Sequence, residues 1–169
     1  IGNSAFDECT MLEEIVIPNS LYNINDSTFR KCKSLKHIEI PNSIDKIDEK
    51  AFYGCYSLKE VVIPPSVGEV NKSAFSECTL LEKVTILSPL LMISNRAFYF
   101  CTSLKEITIP NTVSKIAKYS FCGCSSLEKI NIPSSVTIFK DSCFKRCFSL
   151  KEIVIPTSVT IIEKESFSD

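Results

Sequence analysis

A phenylalanine returns every 23 residues along the whole chain, at Phe6, Phe29, Phe52, Phe75, Phe98, Phe121, Phe144 and Phe167. Three residues after each of the first seven stands a cysteine, from Cys9 to Cys147, and three further on a leucine, from Leu12 to Leu150. An apolar pair in the pattern I/V-x-I follows, as in Ile15/Ile17 and Val61/Ile63. No insertion or deletion breaks the register. A period this strict describes one small unit copied along an axis, a solenoid of stacked coils in which equivalent side chains lie over one another. Repetition then accounts for most residues, and function is to be sought where the repeat varies.

One coil shows how the unit folds. Residues 105–109 alternate outward and inward side chains, many β-branched, and read as a short strand. Pro110 ends it, because proline brings no N–H to a continuing ladder. Val113 and Ile116 return to the interior. In residues 118–124, Phe121 and Cys124 stand three apart with Leu127 three further, a spacing that predicts a single helical or 3-10 turn with one side on the core. Alone, such a coil cannot bury its apolar side. Stacking supplies that burial and aligns the strands about 4.8 Å apart in a parallel sheet, the rest of each coil serving as the crossover.

The stretch of residues 12–20, LEEIVIPNS, resembles the leucine-rich repeat pattern L-x-x-L-x-L-x-x-N. With the added A-F-x-x-C-x-x-L and I-P-x-S-V/I signatures, the whole chain is similar to the BspA-like (Treponema pallidum-type) family of 23-residue leucine-rich repeats. The resemblance implies an α/β repeat fold: about seven coils, a parallel β-sheet on the concave side, and short helical or 3-10 turns and loops on the other. The asparagine column departs from the general pattern, reading Ser20, Ser43, Ser66, Pro89, Thr112, Ser135 and Ser158. A hydroxyl there bonds the neighbouring coil's backbone. Pro89 cannot, so the coil of residues 81–103 is expected to deviate. Residues 1–169 read as one array with a partial coil at each end, a fragment of a longer protein. The uncapped ends predict end-to-end self-association or fraying.

The family resemblance implies a protein-binding role, commonly at the surface of bacteria and protists, with host or matrix proteins as partners. On the concave sheet the outward column is Val16, Glu39, Val62, Thr85, Thr108, Asn131 and Val154, a flat face of small side chains suited to an extended protein rather than a small molecule. Beside it run two charged columns, Glu13/Glu14, Lys36/His37, Lys59/Glu60, Glu82/Lys83, Lys105/Glu106, Glu128/Lys129 and Lys151/Glu152. From Lys59 on, every charge faces its opposite in the next coil. Such a checkerboard discourages register slips, since a shifted stack would oppose like charges.

The repeat breaks most in residues 81–103. Leu87 replaces the strand proline, Pro89 replaces the hydroxyl, and Leu91, Met92, Tyr99 and Phe100 stand where other coils are polar. These four form a candidate apolar patch, with Tyr53, Tyr56, Tyr119 and Phe148 as further convex or lateral aromatics. The competing expectation is that they collapse onto the coil.

Nine cysteines invite a disulfide or metal reading, but seven share one column, which predicts buried, reduced thiols acting as small apolar groups. Cys143 takes an inward position, and Cys122 reads as the more exposed and reactive thiol. Zinc spacings are not matched by Cys122, Cys124, Cys143 and Cys147. The lone His37 sits in the charged band, away from the column thiols. No phosphate loop, metal motif or nucleophile–base constellation is present, so the expectation is a non-enzyme without cofactor or catalytic residues. The formal net charge of −1 argues against nucleic acid. Apolar runs are too short for membrane insertion of this segment. Two glycosylation sequons begin at Asn25 and Asn71. The readings are therefore a surface or extracellular adhesion module, a cytoplasmic interaction scaffold, or a spacer in a longer array.

Overall fold

A computed structural model describes residues 1–168. The chain is a parallel β-solenoid of about six turns, its equivalent residues in register one repeat apart. Among the described residues, twelve short strands fall into two series. One follows the I/V-x-I pair: β3 (Glu60–Ile63), β5 (Lys83–Ile86), β7 (Glu106–Thr108), β9 (Lys129–Ile130) and β11 (Glu152–Ile153). They form two parallel sheets, β3-β5-β7 and β9-β11, linked by a Thr108–Asn131 bridge. Residues 13–17 and 36–40 follow the same path without being assigned as strands, although the Lys36 N–H bonds the Glu13 carbonyl at 3.1 Å.

A second series closes the other side of each coil: β1 (Asn23–Ile24), β2 (Lys46–Ile47), β4 (Glu69–Val70), β6 (Met92–Ile93), β8 (Lys115–Ile116), β10 (Ile138–Phe139) and β12 (Ile161–Ile162). These strands pair as β1-β2-β4 and β6-β8-β10-β12. Sequence reading gave the inward residue at this position but not the strand. Two residues are too few to show alternation, and only stacking supplies the ladder partner.

The expected helical turn does not form, and no helix occurs among the described residues. In residues 48–58 the amides alternate. Ala51, Tyr53, Cys55 and Leu58 bond the carbonyl three residues back, at 3.0–3.3 Å. Lys50, Phe52 and Gly54 instead reach Lys72, Ala74 and Ser76 of the next coil, at 2.8–3.1 Å. Two residues per coil carry positive φ, here Lys50 at 54° and Gly54 at 69°. Each left-handed residue stops helical progress, and its own amide points along the axis to the next coil. The apolar spacing of three is compatible with either conformation, which is why it misled.

Inside, the phenylalanines form one continuous stack. Ring centroids of Phe29, Phe52, Phe75, Phe98, Phe121 and Phe144 follow one another at 5.1–5.8 Å, with ring planes within 14° of parallel. The cysteine column lies beside them. Cys32, Cys55, Cys78, Cys101, Cys124 and Cys147 each donate Sγ–H to the phenylalanine carbonyl of the preceding coil, at 3.1–3.3 Å. The hydroxyl column acts as expected in four coils: Ser66, Thr112, Ser135 and Ser158 donate to the carbonyls of Ile44, Leu90, Val113 and Val136 at 2.7 Å.

Candidate functional site

The strand alternation fixes what the first-series sheet can present. In β3, Val61 and Ile63 are buried while Glu60 and Val62 face out. The same parity leaves Val16, Glu39, Val62, Thr108, Asn131 and Val154 exposed and Thr85 half-buried, one contiguous column across the coils. Val16 and Val154 are 90% and 69% exposed. Register places each column member directly opposite its counterpart, Val62 with Thr85 and Thr85 with Thr108.

The flanking checkerboard closes into ion pairs at some of its junctions. Lys36 meets Glu13 at 2.8 Å, Lys105 meets Glu82 at 2.8 Å, Lys151 meets Glu128 at 3.2 Å and Lys83 meets Glu106 at 3.7 Å. Lys105 stands between Glu82 and Glu128 in its column and engages Glu82, one ammonium settling on one carboxylate. The hydrogen bond from Lys105 lowers the Glu82 pKa and raises that of Lys105. These groups are exposed, so their role is orientation and register rather than stability.

The four residues of the candidate apolar patch are not brought together. Leu91 and Met92 lie on the second-series side, 72% and 39% exposed. Tyr99 and Phe100 lie further round in the turn segment and are half-buried in an aromatic cluster. Their centroids are 4.6 Å apart, and Tyr119 meets Tyr99 edge-on at 6.3 Å. The Arg96 guanidinium sits 5.2 Å from the Tyr119 centroid and 5.6 Å from that of Tyr99. Phe100 occupies the space over Gly123, where an added Cβ would lie 2.9 Å from the ring. The Arg96 contribution was missed because cation–π contacts leave no motif; Gly123, one of only four glycines, was the available signal.

The thiols offer no nucleophile on this face. Burial pushes the Cys32 thiol up to about 11 and those of Cys143 and Cys147 up to about 12, and holds Cys55, Cys78, Cys101 and Cys124 well above the ordinary range. Cys122 is 4% exposed, not the accessible thiol expected, and burial raises its pKa as well. It lies in the column between Tyr99 and Lys145. Cys9 is exposed, unlike the other eight. All nine are free thiols. His37 is exposed on the sheet side, with the column thiols turned into the core. Among the described residues, no three His, Cys, Asp or Glu side chains group to hold a metal, and no helix is long and apolar enough to cross a membrane.

The description "BspA type Leucine rich repeat region" matches residues 1–101 and 91–169, in six copies. The chain belongs to the BspA-type leucine-rich repeat family. Among solved structures it is similar to a leucine-rich repeat protein from Bacteroides ovatus, at 35% identity and a TM-score of 0.91, covering 95% of this chain and 42% of that one. It is also similar to the T. pallidum leucine-rich repeat protein, at 30% identity and a TM-score of 0.85, covering 90% and 71% of the two chains. A leucine-rich repeat protein from Eubacterium ventriosum shares the fold at 24% identity, with a TM-score of 0.84 over 93% of this chain and 42% of that one. The chain thus spans less than half the length of the Bacteroides and Eubacterium proteins. A comparison with curated proteins gives no match.

Proposed function

We propose that this BspA-type array is a non-catalytic protein-interaction module that binds an extended protein segment along its concave face. The observation carrying this reading is the exposed column from Val16 to Val154, small and mostly uncharged, bordered by lysines and glutamates of which several are paired with one another. A strip of short side chains between charged columns accepts a polypeptide lying across the strands, in contact with several coils at once. The setting we favour is the ligand-presenting region of a cell-surface adhesion-type protein, with a host or matrix protein as partner. A second reading, an intracellular scaffold using the same strip, is favoured by nine cysteines kept as free thiols.

The test is binding of the folded chain to immobilised extracellular-matrix proteins, compared with a V62R/T108R double variant and a K115E variant on the other side. Loss of binding by tenfold or more in the first variant alone supports the reading, ~1.4 kcal/mol or more. Equal binding by all three proteins would remove the concave strip from consideration. Binding by none would favour the scaffold or spacer.

A further inference from the structure

The second-series sheet is interrupted at one place, between the coils of residues 58–80 and 81–103. Elsewhere two backbone bonds recur at each junction. One runs from Asp45 to Tyr22 and from Gly68 to Asp45 at 2.7 Å, then from Ser114 to Leu91 at 3.0 Å, and from Thr137 to Ser114 and Thr160 to Thr137 at 2.9 Å. The other runs from Asp48 to Ile24, Asn71 to Ile47, Ala117 to Ile93, Lys140 to Ile116 and Glu163 to Phe139, at 2.8–3.0 Å. The corresponding Leu91-to-Gly68 and Ser94-to-Val70 bonds are absent, and β4 and β6 do not pair. The Ser94 hydroxyl substitutes for its own amide, donating to the Val70 carbonyl at 2.6 Å.

Two substitutions explain the gap. In every other coil the residue three after the proline closes a turn onto its carbonyl, as Val67 does to Pro64 and Val113 to Pro110. Leu87 stands in place of that proline and keeps an N–H, which bonds the Ile63 carbonyl at 2.9 Å and carries the strand path one residue further. The Leu90 amide then makes no turn, and Ser88 is buried with its hydroxyl unpartnered. Pro89 removes the hydroxyl that would tie this corner to the Val67 carbonyl.

The other side of the same junction is intact. Strand β5 pairs with β3 over four residues, the Phe75 N–H reaches Ala97 at 3.0 Å, and Cys101 donates to the Phe75 carbonyl at 3.1 Å. The Phe75–Phe98 spacing of 5.8 Å is nevertheless the widest in the stack. We propose that this junction is a built-in seam: the array parts first here, between β4 and β6, hinging on the concave sheet and the phenylalanine stack. Opening changes the curvature of the concave face without breaking it. The seam stands independently of what that face binds.

Amide hydrogen exchange of the native chain tests it. Corrected for intrinsic rates, the Leu90, Leu91 and Ser94 amides should exchange about tenfold or more faster than Val113, Ser114 and Ala117 one coil on. An L87P/P89S variant restores both repeat residues and should bring Leu91 and Ser94 to the rates of Ser114 and Ala117. Limited proteolysis should cut residues 87–94 first in the native chain and not in that variant. Equal protection of Leu91 and Ser114 in the native chain would overturn the seam, and that comparison decides even if the variant fails to fold. Unchanged exchange in a folded L87P/P89S protein would overturn its assignment to these two residues.

Discussion

Raising the pH above 9 is expected to destabilise this protein progressively and finally to unfold it. A thiol with an ordinary pKa of 9.0 is pushed to about 11 at Cys32 and about 12 at Cys143 and Cys147, and well above the ordinary range at Cys55, Cys78, Cys101 and Cys124, in each case chiefly by burial. Because the folded-state values are raised, the neutral thiol is the form the fold prefers. Below pH 9 both states are protonated and the contribution is complete. Above 9 the unfolded chain releases these protons while the folded chain holds them, so stability falls as pH climbs towards 11–12. Every thiol held above its ordinary range by burial adds to this loss, so the column makes stability fall more steeply with pH than one such group would. Circular dichroism and ultraviolet thiolate absorbance should change in one transition. Thiolates appearing near pH 9 with the β signal intact would show that the column is not sealed. Cys78→Ala should shift the midpoint upward by removing one of the groups.

Phe75→Ala is the other large effect. Its ring is fully buried between Phe52 at 5.1 Å and Phe98 at 5.8 Å, both nearly parallel to it. Truncation removes the transfer free energy of the side chain, leaves a cavity the stacked coils cannot collapse, and deletes two ring contacts. The expected loss is about 3–5 kcal/mol. Because each coil contacts only its neighbours, a defect in the middle of the array also weakens the coupling between its halves, and unfolding in urea should broaden or split. Phe167→Ala is the control: that ring is 38% exposed and stacks on one side only, against Phe144 at 5.4 Å. A Phe75→Ala protein within about 1 kcal/mol of the unsubstituted chain would mean that the stack contributes little.

The axis, the register, the inward columns and the outward strand column were all legible in the sequence, because each follows from a period that survives without a single slip. What eluded it depends on the backbone between those columns. The I/V-x-I stretch alternates over enough residues to announce a strand, whereas Asn23–Ile24 and its equivalents are too short to do so. The Phe-to-Cys spacing of three fits a helical turn as well as it fits tight turns interrupted by left-handed residues. Positions such as Lys50, Glu77 and Arg146 carry no glycine to mark their positive φ. Exposure was misjudged at Cys122, whose column holds mostly large polar or aromatic side chains in other coils, such as Arg30, Tyr53 and Lys145, and so read as outward. Pro89, by contrast, was visible at once, and the sheet parts where it stands.

Through-hydrogen-bond NMR couplings test the stacked register most directly. The Phe52 amide nitrogen should couple to the Ala74 carbonyl and that of Phe75 to Ala97, matching contacts of 2.8 and 3.0 Å between successive coils. Couplings from Phe52 to a carbonyl three or four residues earlier would instead describe a helical turn closed within its own coil, and would contradict the stack.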